Sequence, residues 1–125
     1  MSKFKSQGFN NTFKNARKGV RIVLKSEINI RIHFITGILV LIFAFILGLN
    51  ISKICILLLT IGFVIVSEMI NSAVEFSLDA VFKNRYNRLV GMAKDISAGA
   101  VMCATVIAVA VGIMIFGSEI LKLIS

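Results

Sequence analysis

Residues 66–79 read VSEMINSAVEFSLD, placing two glutamates, an asparagine and an aspartate where an apolar run should continue. An α-helix advances about 100° per residue, so with Glu68 at zero, Asn71 falls at about −60°, Ser72 about +40°, Glu75 about −20° and Asp79 about +20°. These five share one face, and Met69, Ile70, Ala73, Val74, Phe76 and Leu78 take the rest. A polar stripe on a helix at a membrane edge either bonds to neighbouring helices or lines a site. The chemistry such groups could do is divalent-metal binding and general-base work. Hard cations such as Mg2+ are often held by one or two carboxylates together with substrate phosphates. Glu75 supplies one carboxylate, and Glu27, just before the first apolar run, is the candidate for the second. The alternative for Glu27 is an (i, i+4) pair with Arg31. Glu68, one to two turns deeper than Glu75, suits general-base work; its alternative is a packing role, bonded to polar groups of adjacent helices.

The stretch VGMAKDISAGA, residues 90–100, carries a second set. Lys94 and Asp95 stand where a nucleotide can be met, the lysine through phosphate charge; alternatively they cap the span. Gly91, Asp95 and Gly99 recur every four residues, and small residues on one face let another helix approach closely. His33 is a lone histidine at an apolar boundary, read as a polar residue at headgroup level rather than a ligand. Walker, kinase glycine-loop, Ser-His-Asp and zinc patterns do not occur.

The elements that position these residues are helices. In 125 residues, 58% are hydrophobic, proline and tryptophan are absent, and mean hydropathy is +0.94, well above the globular average. β-type alternation is missing, so helices are the spanning element. Residues 32–52 are 21 positions without formal charge apart from His33, enough for one span. GLNISK, residues 48–53, reads as a tight turn. Residues 54–67 are too short to cross alone, so the second span runs on through Glu68 toward Glu75. Residues 80–92 read as a polar, basic loop, and 96–118 is a charge-free run of 23.

From Phe9 to Leu24 apolar residues recur at helical spacing beside Lys14, Arg17, Lys18, Arg21 and Lys25, the pattern of a helix lying on a membrane surface or serving as a plain basic anchor. Residues 1–8 read as a frayed polar end. The expected fold is an all-α membrane protein, one domain over 1–125, with an N-terminal amphipathic surface helix at about 9–26 and three transmembrane helices at about 32–50, 54–78 and 94–118.

The charge of +8 comes from 14 basic and 6 acidic residues, eight of the basic ones before the first apolar run and four more between Lys83 and Lys94. That distribution points to an anionic membrane or an anionic substrate such as a nucleotide, not to nucleic acid. By the positive-inside rule the N-terminus is cytoplasmic and the C-terminus extracytoplasmic in the cell membrane. Cys55 and Cys103 sit inside apolar runs as packing or lipid-facing residues, and no cleavable signal peptide is expected.

EMINSAVE (68–75) followed by VGMAKDISAGAV (90–101) resembles the prokaryotic diacylglycerol kinase family of small integral membrane lipid kinases. ARKGVR and SEINIRIH match its Gram-positive, undecaprenol kinase-like branch. The resemblance implies a homotrimer of three-span subunits with sites between subunits. It also implies transfer of the ATP γ-phosphoryl to a lipid hydroxyl, with Mg2+ required. Carried over by position, Glu68 is the catalytic base supported by Asn71, and Glu75 with Glu27 forms the metal pair. Arg85, Tyr86, Asn87, Lys94 and Asp95, with the same two glutamates, contact the nucleotide. Arg21, Asn29, Arg31, His33, Glu68 and Ala98 contact the lipid. Enterobacterial diacylglycerol kinases carry an aromatic residue and a glutamate where this chain has Arg17 and His33, which favours a polyprenol, undecaprenol, over diacylglycerol. The surface-helix match needs a short gap, so residues 9–17 carry no assigned nucleotide contact. A proton-coupled transporter using Glu68 as its proton site and a structural subunit of a larger complex are the rival classes.

Overall fold

A computed structural model describes Gly8–Ser125; the frayed end expected for 1–8 lies, except for Gly8, outside the described residues. Among these the chain forms four helices, α1 Phe9–Ser26, α2 Ile28–Ile46, α3 Ile51–Phe82 and α4 Arg88–Ile124, and no strand. The last three are long and apolar enough to cross a membrane. At about 1.5 Å per residue, the 32 residues of α3 and 37 of α4 outrun a hydrocarbon core of about 30 Å. The polar stripe is therefore carried on uninterrupted helix.

Sequence chemistry sets the breaks. Glu27 alone separates α1 from α2, with extended φ/ψ of −115°/108°, and buried Val23 and Ile30 pin the corner from either side. Helix α2 ends in a Schellman turn. Gly48 takes φ +72°, its N–H bonds to the Phe45 carbonyl at 3.1 Å, and the Leu49 N–H bonds to the Ala44 carbonyl at 3.1 Å. Buried Ala44 and Leu49 provide the apolar contact that accompanies such turns. Asn50 then caps α3, its Oδ1 accepting from the Lys53 N–H at 2.9 Å.

Helix α3 is the centre of the packing, lying against α4 along much of its length and against α2, while α1 rests mainly on α2. The main core cluster sits at the 47–50 turn end, where Ala44, Leu49, Leu57 and Ile115 are buried among Val40, Leu41, Ile54, Val111 and Phe116. Phe43 and Phe116 stack with ring centroids 5.4 Å apart.

Two expectations are corrected. The polar loop is not 80–92 but the five residues 83–87, because α3 continues to Phe82 and α4 begins at Arg88. The chain reverses through Lys83 and Asn84, both left-handed at φ 52° and 62°, and Asn87 Oδ1 starts the next helix by accepting from the Leu89 N–H at 2.8 Å. The close helix approach expected at Gly91 and Gly99 is found elsewhere. A methyl group at Gly99 would meet nothing, and one at Gly91 would meet only the Tyr86 ring. At Gly37 of α2 it would stand 2.6 Å from Ile61 Cγ2 of α3.

Candidate active site

The stripe on α3 turns inward and is bonded at three levels to two different helices. Glu68 and Ser72 are its buried members; Asn71, Glu75 and Asp79 are half-buried. Toward α2, Glu68 Oε1 lies 3.1 Å from His33 Nε2. Toward α4, the Ser97 hydroxyl donates to Asn71 Oδ1 at 2.7 Å, and Lys94 Nζ donates to Asp79 Oδ1 at 2.7 Å. Polar side chains that face one another across apolar helices satisfy each other, because lipid offers no partner.

Between these levels Glu75 makes no hydrogen bond or ion pair among the described residues, although its charge reaches the Lys94 ammonium. Glu27 makes no ion pair either. The (i, i+4) pair with Arg31 is not formed, because Glu27 is extended and stands outside α2. Glu27 and Glu75, and Asp95 as well, thus remain without an ion pair among the described residues. Among the described residues, no group of three or more His, Cys, Asp or Glu is gathered to hold a metal ion. Mg2+ that arrives with substrate phosphates commonly takes only one or two protein carboxylates.

Beyond the stripe, a recess of about 270 Å³ opens between the ends of α3 and α4. It brings Arg85, Tyr86, Lys94 and Asp95 together with Asp79 and Asn84. Asn87 stands outside it, its oxygen engaged as the α4 cap. Arg21, Asn29 and Arg31 are exposed along α1 and the start of α2, and Ala98 is exposed on α4; among the described residues neither arginine forms an ion pair with Glu68. Two features were missed from sequence. His33, read as a headgroup-level residue, is the partner of Glu68. Asp79, placed on the stripe but given no role, and Ser97, not singled out, hold Lys94 and Asn71. A donor one helix away from a buried acceptor has no signature in a single chain's spacing.

The profile of prokaryotic diacylglycerol kinase matches residues 14–116, most of the chain. This chain belongs to the prokaryotic diacylglycerol kinase family. Among curated proteins, a diacylglycerol kinase of Synechocystis sp. is 37% identical over 101 residues, 81% of this chain and 58% of that protein. An undecaprenol kinase of Bacillus subtilis is 32% identical over 108 residues, 86% of this chain and 87% of that one. This chain therefore spans little more than half the length of the first relative and most of the second. The family and both relatives carry kinase names, which favours a kinase over the transporter and the structural subunit. The matched segment contains the whole α3 stripe, the 83–87 turn and Lys94 and Asp95.

Proposed function

We propose that this protein transfers the γ-phosphoryl group of ATP to the hydroxyl of a membrane lipid alcohol, with undecaprenol as the preferred acceptor. The observation that carries this reading is the division of labour along one face of α3. A buried carboxylate, Glu68, and an unengaged one, Glu75, stand seven residues apart, and one turn beyond Glu75 the stripe reaches Asp79, in the wall of a recess lined with basic and aromatic side chains. Seven residues is about 10 Å along a helix, room for an acceptor oxygen and a γ-phosphorus about 3 Å apart to lie between a base and a metal-binding carboxylate.

Phosphoryl transfer asks a protein for positioning and charge neutralisation more than for covalent chemistry. Glu68 takes the proton of the lipid hydroxyl as that oxygen bonds to the γ-phosphorus, and the bond from phosphorus to the bridging oxygen breaks to release ADP. Asn71, its carbonyl held by Ser97, keeps its amide N–H groups for the reacting oxygens. Lys94 and Arg85 draw the triphosphate to the recess, and Tyr86, largely exposed, offers a face for the base. Glu75 and Glu27 would hold Mg2+, which would supply charge neutralisation at the phosphate oxygens.

The basic residues of α1 and of the 83–94 stretch support an N-terminus in the cytoplasm, which puts the recess on the ATP side. Sites shared between subunits of a homotrimer complete the reading. The Bacillus relative, matched over most of its length, is named an undecaprenol kinase, and this favours the polyprenol. The more identical Synechocystis relative is named a diacylglycerol kinase, which keeps diacylglycerol as the second acceptor.

The deciding experiment is purified protein in mixed micelles with labelled ATP, Mg2+ and either alcohol. Faster labelling of undecaprenol is expected, and faster labelling of diacylglycerol reverses the acceptor assignment. For the trimer, mixing Glu68→Gln subunits with Glu27→Gln subunits before assembly should raise activity at low Mg2+ above that of either variant alone, because a site that takes its α3 from one subunit and its Glu27 from another can then be built from parental residues. Failure of mixed assemblies to recover activity argues for sites contained within one subunit.

A further inference from the structure

Glu68 is 8% exposed, on a helix whose surroundings are apolar, and an ionised carboxylate in such a place needs a partner. Among the described residues it has one. His33 reaches it from α2, 35 positions earlier in the chain, with Nε2 at 3.1 Å from Oε1. A carboxylate that accepts at this distance would take the proton from the ring, which would carry it on Nε2. The approach is built into the helix crossing. One turn after His33 on the same helix face, Gly37 lets α3 come so near that an added Cβ would overlap Ile61 Cγ2 at 2.6 Å. The branched Ile61 has little rotamer freedom with which to yield.

We propose that His33 is the positioning residue for Glu68. Its Nε2 holds Oε1 and fixes the carboxyl plane, leaving Oε2 to take the proton of the lipid hydroxyl. The inference rests on the base assignment above. It replaces a lipid-contact role for His33, and the two roles part in kinetics: losing a lipid contact raises KM, and losing base positioning lowers kcat.

In mixed micelles His33→Leu should lower kcat by about 10- to 100-fold with KM for the lipid within about threefold of the parent, a part of the usual general-base contribution. His33→Gln, whose amide nitrogen can stand near the Nε2 position, should recover most of that loss. The double variant His33→Leu/Glu68→Gln should be no slower than Glu68→Gln alone, since the ring acts only through the carboxylate. A His33→Leu variant with parental kcat, a rise confined to KM, or a glutamine variant no better than leucine would overturn the proposal. If Glu68→Gln itself turns over at the parental rate, the base assignment fails first. If Glu68→Gln is inactive and His33→Leu is not impaired, positioning alone fails.

His33 is the single histidine of the chain, so a measurement independent of turnover is available should His33→Leu not fold. In 15N-histidine-labelled protein the ring-nitrogen resonances should move on Glu68→Gln substitution, with Nε2 the protonated nitrogen in the parent. Resonances unchanged by that substitution would show that the pair does not exist.

Discussion

The two ends of the helix bundle are held together by different forces. At the 47–50 turn, Ala44, Leu49, Leu57 and Ile115 are buried against one another, the turn is closed by backbone bonds, and Lys53 and Glu119 clamp the start of α3 to the end of α4. At the 83–87 turn, buried hydrophobics are sparse, and α3 is joined to its neighbours by single polar contacts at Glu68, Asn71 and Asp79. Glu27 and Glu75 are left unengaged there. Dispersion and close fit at one end tolerate no movement. Discrete polar contacts at the other hold side chains in place while leaving donors and acceptors free for ligands. Substitutions at the first end should therefore cost stability and spare chemistry, and those at the second should do the reverse.

The strongest break of this contrast is Glu68→Gln, which keeps the shape of the side chain and removes its basicity. Turnover should fall by about 10²- to 10⁴-fold with the thermal unfolding temperature in detergent little changed. A large loss of stability in this variant would mean that Glu68 serves packing. Next in size, Glu75→Gln and Glu27→Gln should each shift the Mg2+ dependence of turnover to higher concentration, by about tenfold or more for loss of one of two carboxylates. Mg2+ titration curves that overlay the parent's would remove these residues from the metal pair.

Gly37→Ala tests packing between the ends. The added methyl meets Ile61 Cγ2, so a loss of about 1–3 kcal/mol is expected, recovered in part by Ile61→Ala. If the single variant is as stable as the parent, the α2–α3 approach is looser than described. Smaller still, Lys83→Gly should gain up to about 1 kcal/mol, because Lys83 holds φ 52°, a left-handed conformation in which glycine carries no Cβ penalty. Denaturant titration in micelles reads both.

The smallest effect is at the clamp. Glu119 lies just beyond the charge-free run 96–118, and its hydrogen bond from Lys53, ahead of the Lys122 charge, holds its carboxyl below the ordinary range. A depressed carboxylate stabilises the fold fully above its unfolded pKa and loses that contribution as pH falls through the folded value. Glu119→Gln should lower the unfolding temperature slightly at neutral pH, converge with the parent in acid, and leave turnover unchanged. A difference that persists in acid would show the clamp to be steric, not electrostatic.

Helical class, the length and apolar character of the spanning elements, and the gathering of Glu68, Asn71, Ser72, Glu75 and Asp79 on one face were all legible in the residues, because they depend on a local 3.6-residue period and on what lipid excludes. The family resemblance was legible for the same reason, since EMINSAVE and the GMAKD segment are contiguous stretches. Helix ends were read less well. The loop shrank from 80–92 to 83–87 because polar and basic residues continue a helix once its carbonyls have partners, and composition does not register that. Which way each helix is rotated, and at what depth it meets its neighbour, is set by packing between segments far apart in sequence. Only the tertiary structure therefore put Gly37 and not Gly99 at the close crossing, gave Lys94 to Asp79, and paired His33 with Glu68 across two helices.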